Sequence, residues 1–410
     1  MRLFAWIMAG MGSVLIGLFP LTTASKTTEL SAPAVNQIAK QITVRIDGQS
    51  TGTGVIVQRS ASTYTVLTAE HVVATPDEYE IIAPEGKTYL LDYKTVKKLP
   101  GVDLALLQFN SSQTYTIANL GNSDRLTEGV PVFVAGFPGQ DSVIKASVYN
   151  FTSGQLTARA SQPTDKGYAL VYTNRTLPGM SGGPVLDAQG QLIGIHGLAD
   201  GQRLERQSET VFIKTGFNLG IPINTALGLM TNTPLPRAIS KSTSASDYFV
   251  QAESFARSGK RTEALTAANQ AIRANANFAA AYVVRGNVRL NQNDLQGAIA
   301  DFNQAIRIDN TLVSAYMGRG LTAAESGDRG AALADYSRAI DLSPSYGLAY
   351  YNRGVVYYNQ GNRTAALEDL RKAAELAQQQ GDQQGYQQAM ETLKIAGKEC
   401  RMSIYGICDR

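Results

Sequence analysis

Three side chains in this sequence have the types and the order that acyl transfer requires. Ser181 lies in Pro178-Gly179-Met180-Ser181-Gly182-Gly183-Pro184, His71 in Leu67-Thr68-Ala69-Glu70-His71-Val72-Val73, and Asp103 in Gly101-Val102-Asp103-Leu104-Ala105-Leu106. A serine hydroxyl becomes a useful nucleophile only when an imidazole takes its proton, and the imidazole needs a carboxylate to hold its tautomer and direction. The chain has only 2 histidines, so a full set in the order His, Asp, Ser is not what composition alone supplies. The competing reading is a buried structural His71 with an unrelated Asp103.

Those residues need elements to position them. At 410 residues the chain is too long for one ordinary core, and two or three domains are expected. A composition of 44% apolar and 17% charged residues is that of a folded protein. From Gln37 to about Ile223 the pattern is short β-rich runs broken by Gly, Asn, Asp and Ser, for example Ile42–Ile46, Gly54–Val57, Tyr64–Leu67, Leu104–Leu107, Val132–Ala135, Gly183–Leu186 and Leu192–Ile195. Many short strands at this spacing predict all-β barrels or a sandwich. Residues 229–246 are rich in Pro, Ser and Thr and read as a linker.

Beyond the linker the chain repeats itself every 34 residues: Ala264, Ala298, Ala332, Ala366; Ala271, Ala305, Ala339, Ala373; Tyr248, Tyr282, Tyr316, Tyr350; and Gly286, Gly320, Gly354. This resembles the tetratricopeptide repeat, with four units over 245–380 and a degenerate first unit. The resemblance implies stacked helix pairs with a concave groove, where Val283, Asn287, Met317, Leu321, Tyr351 and Val355 are expected to meet a protein partner. Gln383–Ile395 reads as a capping helix within a closing segment, 381–410.

Gly179-x-Ser181-x-Gly183 also fits the nucleophile elbow of α/β-hydrolases. That fold needs its histidine well after the serine, whereas His196 follows by only 15 residues. A subtilisin order needs an aspartate before His71, and Asp47 has no supporting motif. Thr68-Ala69-Glu70-His71 and Gly179–Pro184 instead resemble the motifs of trypsin-like serine endopeptidases of the compact bacterial kind, akin to Deg/HtrA and glutamyl endopeptidases, over residues 37–228. That resemblance implies two six-stranded barrels of the chymotrypsin type, His71 and Asp103 on the first, Ser181 on the second and the site between them. It makes Asp103 the orienter, His71 the base and Ser181 the nucleophile, with the backbone N–H groups of Gly179 and Ser181 as oxyanion hole. The substrate would be a protein or peptide. Glutamyl endopeptidases carry a threonine and a histidine at the offsets of Thr176 and His196, which implies a preference for acidic P1 residues, with Arg175 alongside.

Two departures stand out: Glu70 replaces a small residue before the histidine, and Met180 stands where trypsin has an aspartate. The rival class is a non-catalytic peptide-binding scaffold or chaperone. Nothing resembling a PDZ domain follows the protease-like part.

At the start, Arg2, the apolar run Leu3–Phe19 and Thr22-Thr23-Ala24 read as an export signal over 1–24, followed by a tail at 25–36. The alternative is an uncleaved anchor; either places the folded part outside the cytoplasm, in the periplasm or secreted. A net charge of +3 argues for neither nucleic acid nor an anionic membrane. No cofactor or metal is expected. Cys400 and Cys408 are close enough to close a short loop, worth about 2–3 kcal/mol in an oxidising compartment.

Overall fold

The computed structural model describes residues 29–398 apart from 50, 140–147, 165, 200–201, 207–208, 214–215 and 232–242. The export signal, the greater part of the linker, and Cys400 with Cys408 therefore lie outside the described residues.

The first surprise is at the start. Residues assigned to a tail at 25–36 run into a helix, α1 (Ala32–Ile42), with Val35, Ala39 and Ile42 fully buried. Pro33 in its first turn has no N–H to lose there, and the three apolar residues fall on one face at helical spacing. That period is too short to stand out beside the strand run that follows it.

Seven strands come next: β1 (Thr43–Asp47), β2 (Gly52–Ser60), β3 (Thr63–Thr68), β4 (Tyr79–Ile82), β5 (Thr88–Leu91), β6 (Lys97–Lys98) and β7 (Ala105–Asn110). They form one antiparallel sheet in the order β5-β4-β1-β2-β3-β7-β6, rather than the six-stranded closed barrel that the resemblance implied. The curl between β5 and β7 is held by aromatic rings. Tyr89 of β5 lies 4.6 Å from the Phe109 ring of β7, and its hydroxyl pairs with that of Tyr115 at 2.6 Å. Ring packing and a half-buried hydroxyl chain here take the place of a backbone ladder.

The second β unit is a closed six-stranded barrel. Its strands are β8 (Pro131–Gly136), β9 (Asn150–Arg159), β10 (Leu170–Tyr172), β11 (Pro184–Leu186), β12 (Leu192–Leu198) and β15 (Asn218–Pro222), in the order β10-β15-β12-β11-β8-β9. A hairpin of β13 (Gln202–Arg206) and β14 (Glu209–Ile213) precedes β15. Helix α2 (Ile223–Met230) then packs beside β12.

The helical half pairs α3 (Ala245–Arg257) with α4 (Arg261–Ala274), α5 (Ala279–Asn291) with α6 (Leu295–Ile308), α7 (Val313–Glu325) with α8 (Arg329–Leu342), and α9 (Gly347–Asn359) with α10 (Arg363–Gln380), before α11 (Gln383–Lys398). The repeat period hides a second one made of ions. Arg285, Arg319 and Arg353 reach Asp301, Asp335 and Asp369 within their own units at 2.6, 2.6 and 2.7 Å. Each also reaches back to the preceding unit, at Asn269, Asn303 and Ser337. Planar guanidinium forks suit this bidentate use, and the first unit has Gln251 at the equivalent place.

The expected groove is partly filled. Val283, Asn287 and Met317 are buried, and Tyr351 packs against α11, its hydroxyl 3.2 Å from Thr392 Oγ1. Leu321, Tyr351 and Val355 stay half-exposed. Small residues at the helix contacts let the helices close over these side chains.

The helical half is also fastened to the second barrel. Asp247, fully buried on α3, accepts hydrogen bonds from Ser161 N–H (2.5 Å), Ser161 Oγ (2.9 Å) and Gln162 N–H (3.0 Å), while closing a capping box with Ser244. Phe249 meets Phe217 edge to face at 5.4 Å. Burial by itself would raise the Asp247 pKa, but the donors from Ser244, Gln162 and Ser161 outweigh it and hold the group below the usual carboxylate value. Asp247→Ala removes a cap and leaves buried N–H groups unpaired. It is expected to cost about 2–3 kcal/mol, read as a lower urea midpoint for the helical signal. An unchanged midpoint would deny the contact any part in holding the two halves.

Candidate active site

Asp103 precedes β7 and is 2% exposed. Its Oδ1 accepts the His71 backbone N–H at 2.9 Å, and its Oδ2 lies 2.7 Å from His71 Nδ1. An ionised carboxylate only accepts, so Nδ1 carries a proton, and in the neutral ring Nε2 keeps its lone pair. Burial alone would raise the Asp103 pKa; the hydrogen bond and charge of His71, with a further bond from Tyr168, reverse this and bring it to about 2. His71 itself sits on a short 3-10 turn, Glu70–Val73, with its side chain 39% exposed. Glu70, the first departure noted above, pairs at the surface with Lys98 of β6 (2.9 Å), and Lys98 also donates to Ala74 O at 2.8 Å. That ion pair straps the turn bearing His71 to the sheet.

Ser181 stands on the turn that leads into β11. Gly179 and Gly182 both have positive φ, +95° and +87°. A Cβ on Gly182 would fall 2.0 Å from Thr53 O and 3.0 Å from the Ala69 amide nitrogen, so the serine turn is pressed against the segment that carries His71. Thr53 of β2 is the joint. Its N–H donates to Ser181 O at 2.9 Å, its hydroxyl donates to Gly179 O at 2.9 Å, and the same hydroxyl accepts from Phe137 N–H at 2.9 Å. Met180, the second departure, is fully buried in an apolar cluster with Val132, Val134 and Leu177. An apolar anchor therefore holds the turn where the charged one would have stood.

The Ser181 hydroxyl donates to Gly197 O at 2.9 Å. No hydrogen bond joins it to His71 among the described residues. The backbone N–H groups of Gly179 and Ser181 donate to no protein acceptor among those residues. Two peptide donors thus stay open beside a hydroxyl.

Of the substrate-pocket candidates, His196 on β12 is completely buried. Its Nδ1 is 2.7 Å from the Tyr172 hydroxyl, and its Nε2 has no partner among the described residues. Thr176 is buried too, but its hydroxyl is given to Asn218 Oδ1, and no hydrogen bond links it to His196 among the described residues. Arg175 does not join them: it reaches Ser345 O of the helical half and lies over the Tyr346 ring at 4.7 Å.

Sequence reasoning missed Tyr168, whose hydroxyl donates to Asp103 Oδ2, and Arg257 of α3, which donates to Ala199 O at 2.6 Å and to Phe217 O. Neither sits in a recognisable motif. The capping pattern Ser244-x-x-Asp247 was the legible signal for the helix that carries Arg257. An open cavity of about 740 Å³ between the first sheet and α2, lined by Val57, Leu67, Leu106, Leu227 and Met230, contains none of the site residues. Among the described residues no cluster of three His, Cys, Asp or Glu side chains is placed to hold a metal ion.

With this geometry in view, residues 52–195 match the family model for the trypsin-like peptidase domain. The chain carries a trypsin-like peptidase domain. Tetratricopeptide-repeat models match residues 249–312, 324–361 and 347–379, so the peptidase domain is followed by a repeat domain. Among curated proteins the chain is similar to a serine protease Do-like HtrA of Lactobacillus helveticus, 28% identical over 184 residues, which covers 44% of this chain and 42% of that protein. It is also similar to a probable periplasmic serine endoprotease DegP-like of Pseudomonas fulva, 33% identical over 153 residues, covering 37% of this chain and 29% of the relative. The match therefore spans less than half the length of either relative. Among solved structures, the HtrA-type protease AlgW with a tripeptide is similar at 23% identity, a TM-score of 0.39, and coverage of 49% of this chain and 63% of that one.

His196 in the peptidase domain makes a pH-dependent contribution to stability. Burial first, then the charges of His71 and Arg257, lower its pKa to about 3. The unfolded imidazole titrates near about 6.5, so the unfolded chain binds more protons between the two values. Stability is then full above that range and falls as pH drops through it. His196→Gln is expected to flatten the loss between pH 6.5 and 4.5 in thermal unfolding. A slope identical to the parent protein's would place the titrating group elsewhere.

Proposed function

We propose that this chain is an exported serine endopeptidase that cleaves protein substrates through an acyl-enzyme. Ser181 Oγ turns from Gly197 O towards His71 and attacks the scissile carbonyl carbon as His71 Nε2 takes its proton. The carbonyl π pair moves to oxygen, and the resulting anion lies against the N–H groups of Gly179 and Ser181. Each such donor contributes a factor of roughly 10²–10³. His71 returns the proton to the leaving amine as the C–N bond breaks, and a water molecule repeats the sequence to free the acid. Asp103 stays ionised throughout and fixes the imidazole. The observation that carries this reading is the double attachment of His71 to Asp103 beside a serine turn with two open peptide donors.

The same reading extends to an acidic P1 side chain. His196 Nε2 is buried without a partner among the described residues, and a substrate carboxylate would supply one. A pocket with an unpaired buried polar group discriminates against apolar side chains that cannot satisfy it. Thr176 would join only after releasing Asn218. Export is supported by the charged and apolar start of the sequence; among the described residues no helix is long and apolar enough to cross a membrane. The repeat domain would bind protein partners or substrates through surfaces that the peptidase domain leaves open, among them the half-exposed Leu321, Tyr351 and Val355.

Labelling of the purified chain with a fluorophosphonate, followed by mass spectrometry, tests the mechanism. The adduct is expected on Ser181 and lost in Ser181→Ala and His71→Ala. Folded protein that takes no label would instead be the non-catalytic scaffold. A peptide-library digest tests the pocket: cleavage after Glu or Asp is expected to exceed cleavage after Gln by about tenfold or more. Cleavage after Lys, Arg or small apolar residues would refute the role given to His196 and Thr176.

A further inference from the structure

The buried carboxylate of the site has a donor that the two motifs do not contain. Tyr168 is 3% exposed, and its hydroxyl donates to Asp103 Oδ2, the oxygen that also accepts from His71 Nδ1. The loop before β10 is shaped to deliver this phenol. Gly167, at φ +85°, packs so closely on Val102 that a Cβ would fall 2.6 Å from its Cγ1, and Lys166 O accepts the Asp103 N–H at 2.9 Å. On the other side of the ring stands Gly197. A Cβ there would sit 2.3 Å from Tyr168 Cε1 and 2.7 Å from its hydroxyl oxygen. At position 197 only glycine leaves room for the phenol. The two residues are one arrangement: a hydroxyl that reaches Asp103 from the second β unit, and a strand position emptied to admit it.

We propose that Tyr168 is a positioning residue of the peptidase site. By donating to Asp103 it settles the carboxylate in the plane that serves His71 and draws charge from the oxygen that faces the imidazole. This rests on the reading of His71, Asp103 and Ser181 as one catalytic set. Burial first, and the Asp103 charge second, push the phenol pKa far up, so the hydroxyl stays a donor at every working pH. The partition matters chemically. A carboxylate with a second charge-assisted hydrogen bond holds the imidazolium less tightly, which makes His71 readier to return its proton to the leaving amine. A carboxylate without it is both freer to rotate and a stronger partner for the cation.

The experiment uses the full chain. Tyr168→Phe keeps the ring and its packing and removes only the hydroxyl. It is expected to lower kcat roughly tenfold with KM within about twofold, and to move the acidic limb of the kcat/KM profile to higher pH. Tyr172 and Arg257 are the other groups whose charges reach Tyr168, and neither changes in this variant. Gly197→Ala, which displaces the phenol from the opposite side, is expected to act in the same direction. Unchanged kcat and an unmoved acidic limb in Tyr168→Phe would overturn the proposal and leave the phenol as filling. Ser181→Ala separates the two claims, since peptide hydrolysis that survives in it sinks the catalytic set and not the hydrogen bond. In that inactive background the low-field proton resonance of His71 Nδ1–H gives a readout independent of turnover. A shift on adding Tyr168→Phe supports coupling through Asp103, and a resonance that stays in place rejects it.

Discussion

A carboxylate enclosed in protein must be surrounded by donors, and much of this peptidase domain is arranged around one such group. Asp103 comes from the first β unit, yet one of the three hydrogen bonds that its carboxylate accepts comes from the second. His71 supplies two bonds from its own unit; Tyr168 supplies one from across the cleft, and Lys166 O takes the Asp103 amide. An unpaired buried charge would cost several kcal/mol, so neither unit can leave its place without exposing or stranding this group. The negative charge therefore works as a register mark between the two β units.

The serine turn obeys a second constraint of the same kind. Thr53 of the first sheet binds the carbonyls of both Gly179 and Ser181, and Gly182 leaves no space for a side chain beside Thr53 O. Carbonyls on one side of the turn are thereby consumed by protein donors while the opposite N–H groups remain open. The planes that carry the open N–H groups are pinned by their own oxygens, Pro178 O by the Gly139 N–H at 2.9 Å and Met180 O by the Gly183 N–H at 3.0 Å, and a pinned plane cannot easily flip, which is the condition for donors that need no reorganisation when an anion forms. Met180 adds apolar burial beneath the turn. In the proposed mechanism the remaining freedom is a rotation of one serine side chain.

The repeat domain is part of this frame and not a loosely tethered neighbour. Asp247, Phe249 and Arg257 of α3 are spent on the second barrel, and Arg257 ties the end of β12 to the residue before β15. Those strands carry His196, Gly197 and Asn218. Further along, Arg175 beside the buried Thr176 stacks on Tyr346. Several polar contacts that each satisfy a buried group confer orientation more than affinity. The filling of the groove by Val283, Met317 and Tyr351 belongs to the same picture, because a solenoid that closes upon itself and upon its neighbour has less concave surface to offer.

Much of this was legible from residues alone. The 34-residue period announces helix pairs because each unit must bury the same face, and identical small residues are required wherever helices touch. The β-rich half was legible from its short strand runs, and so was the pairing of His71 with Asp103, which the proposal joins to Ser181 as a catalytic set. What the sequence could not show were contacts whose partners lie far apart in the chain and belong to no repeating pattern. Tyr168 reads as one of many tyrosines until its hydroxyl is found on Asp103. Gly197 reads as a strand irregularity until the phenol is seen in its place, and α1 reads as a tail until its three apolar residues meet the barrel. Local pattern determines which elements form, since it is set by neighbours within a few residues. Long-range juxtaposition decides which polar groups share a buried site, since desolvation is felt only after the chain has folded around them.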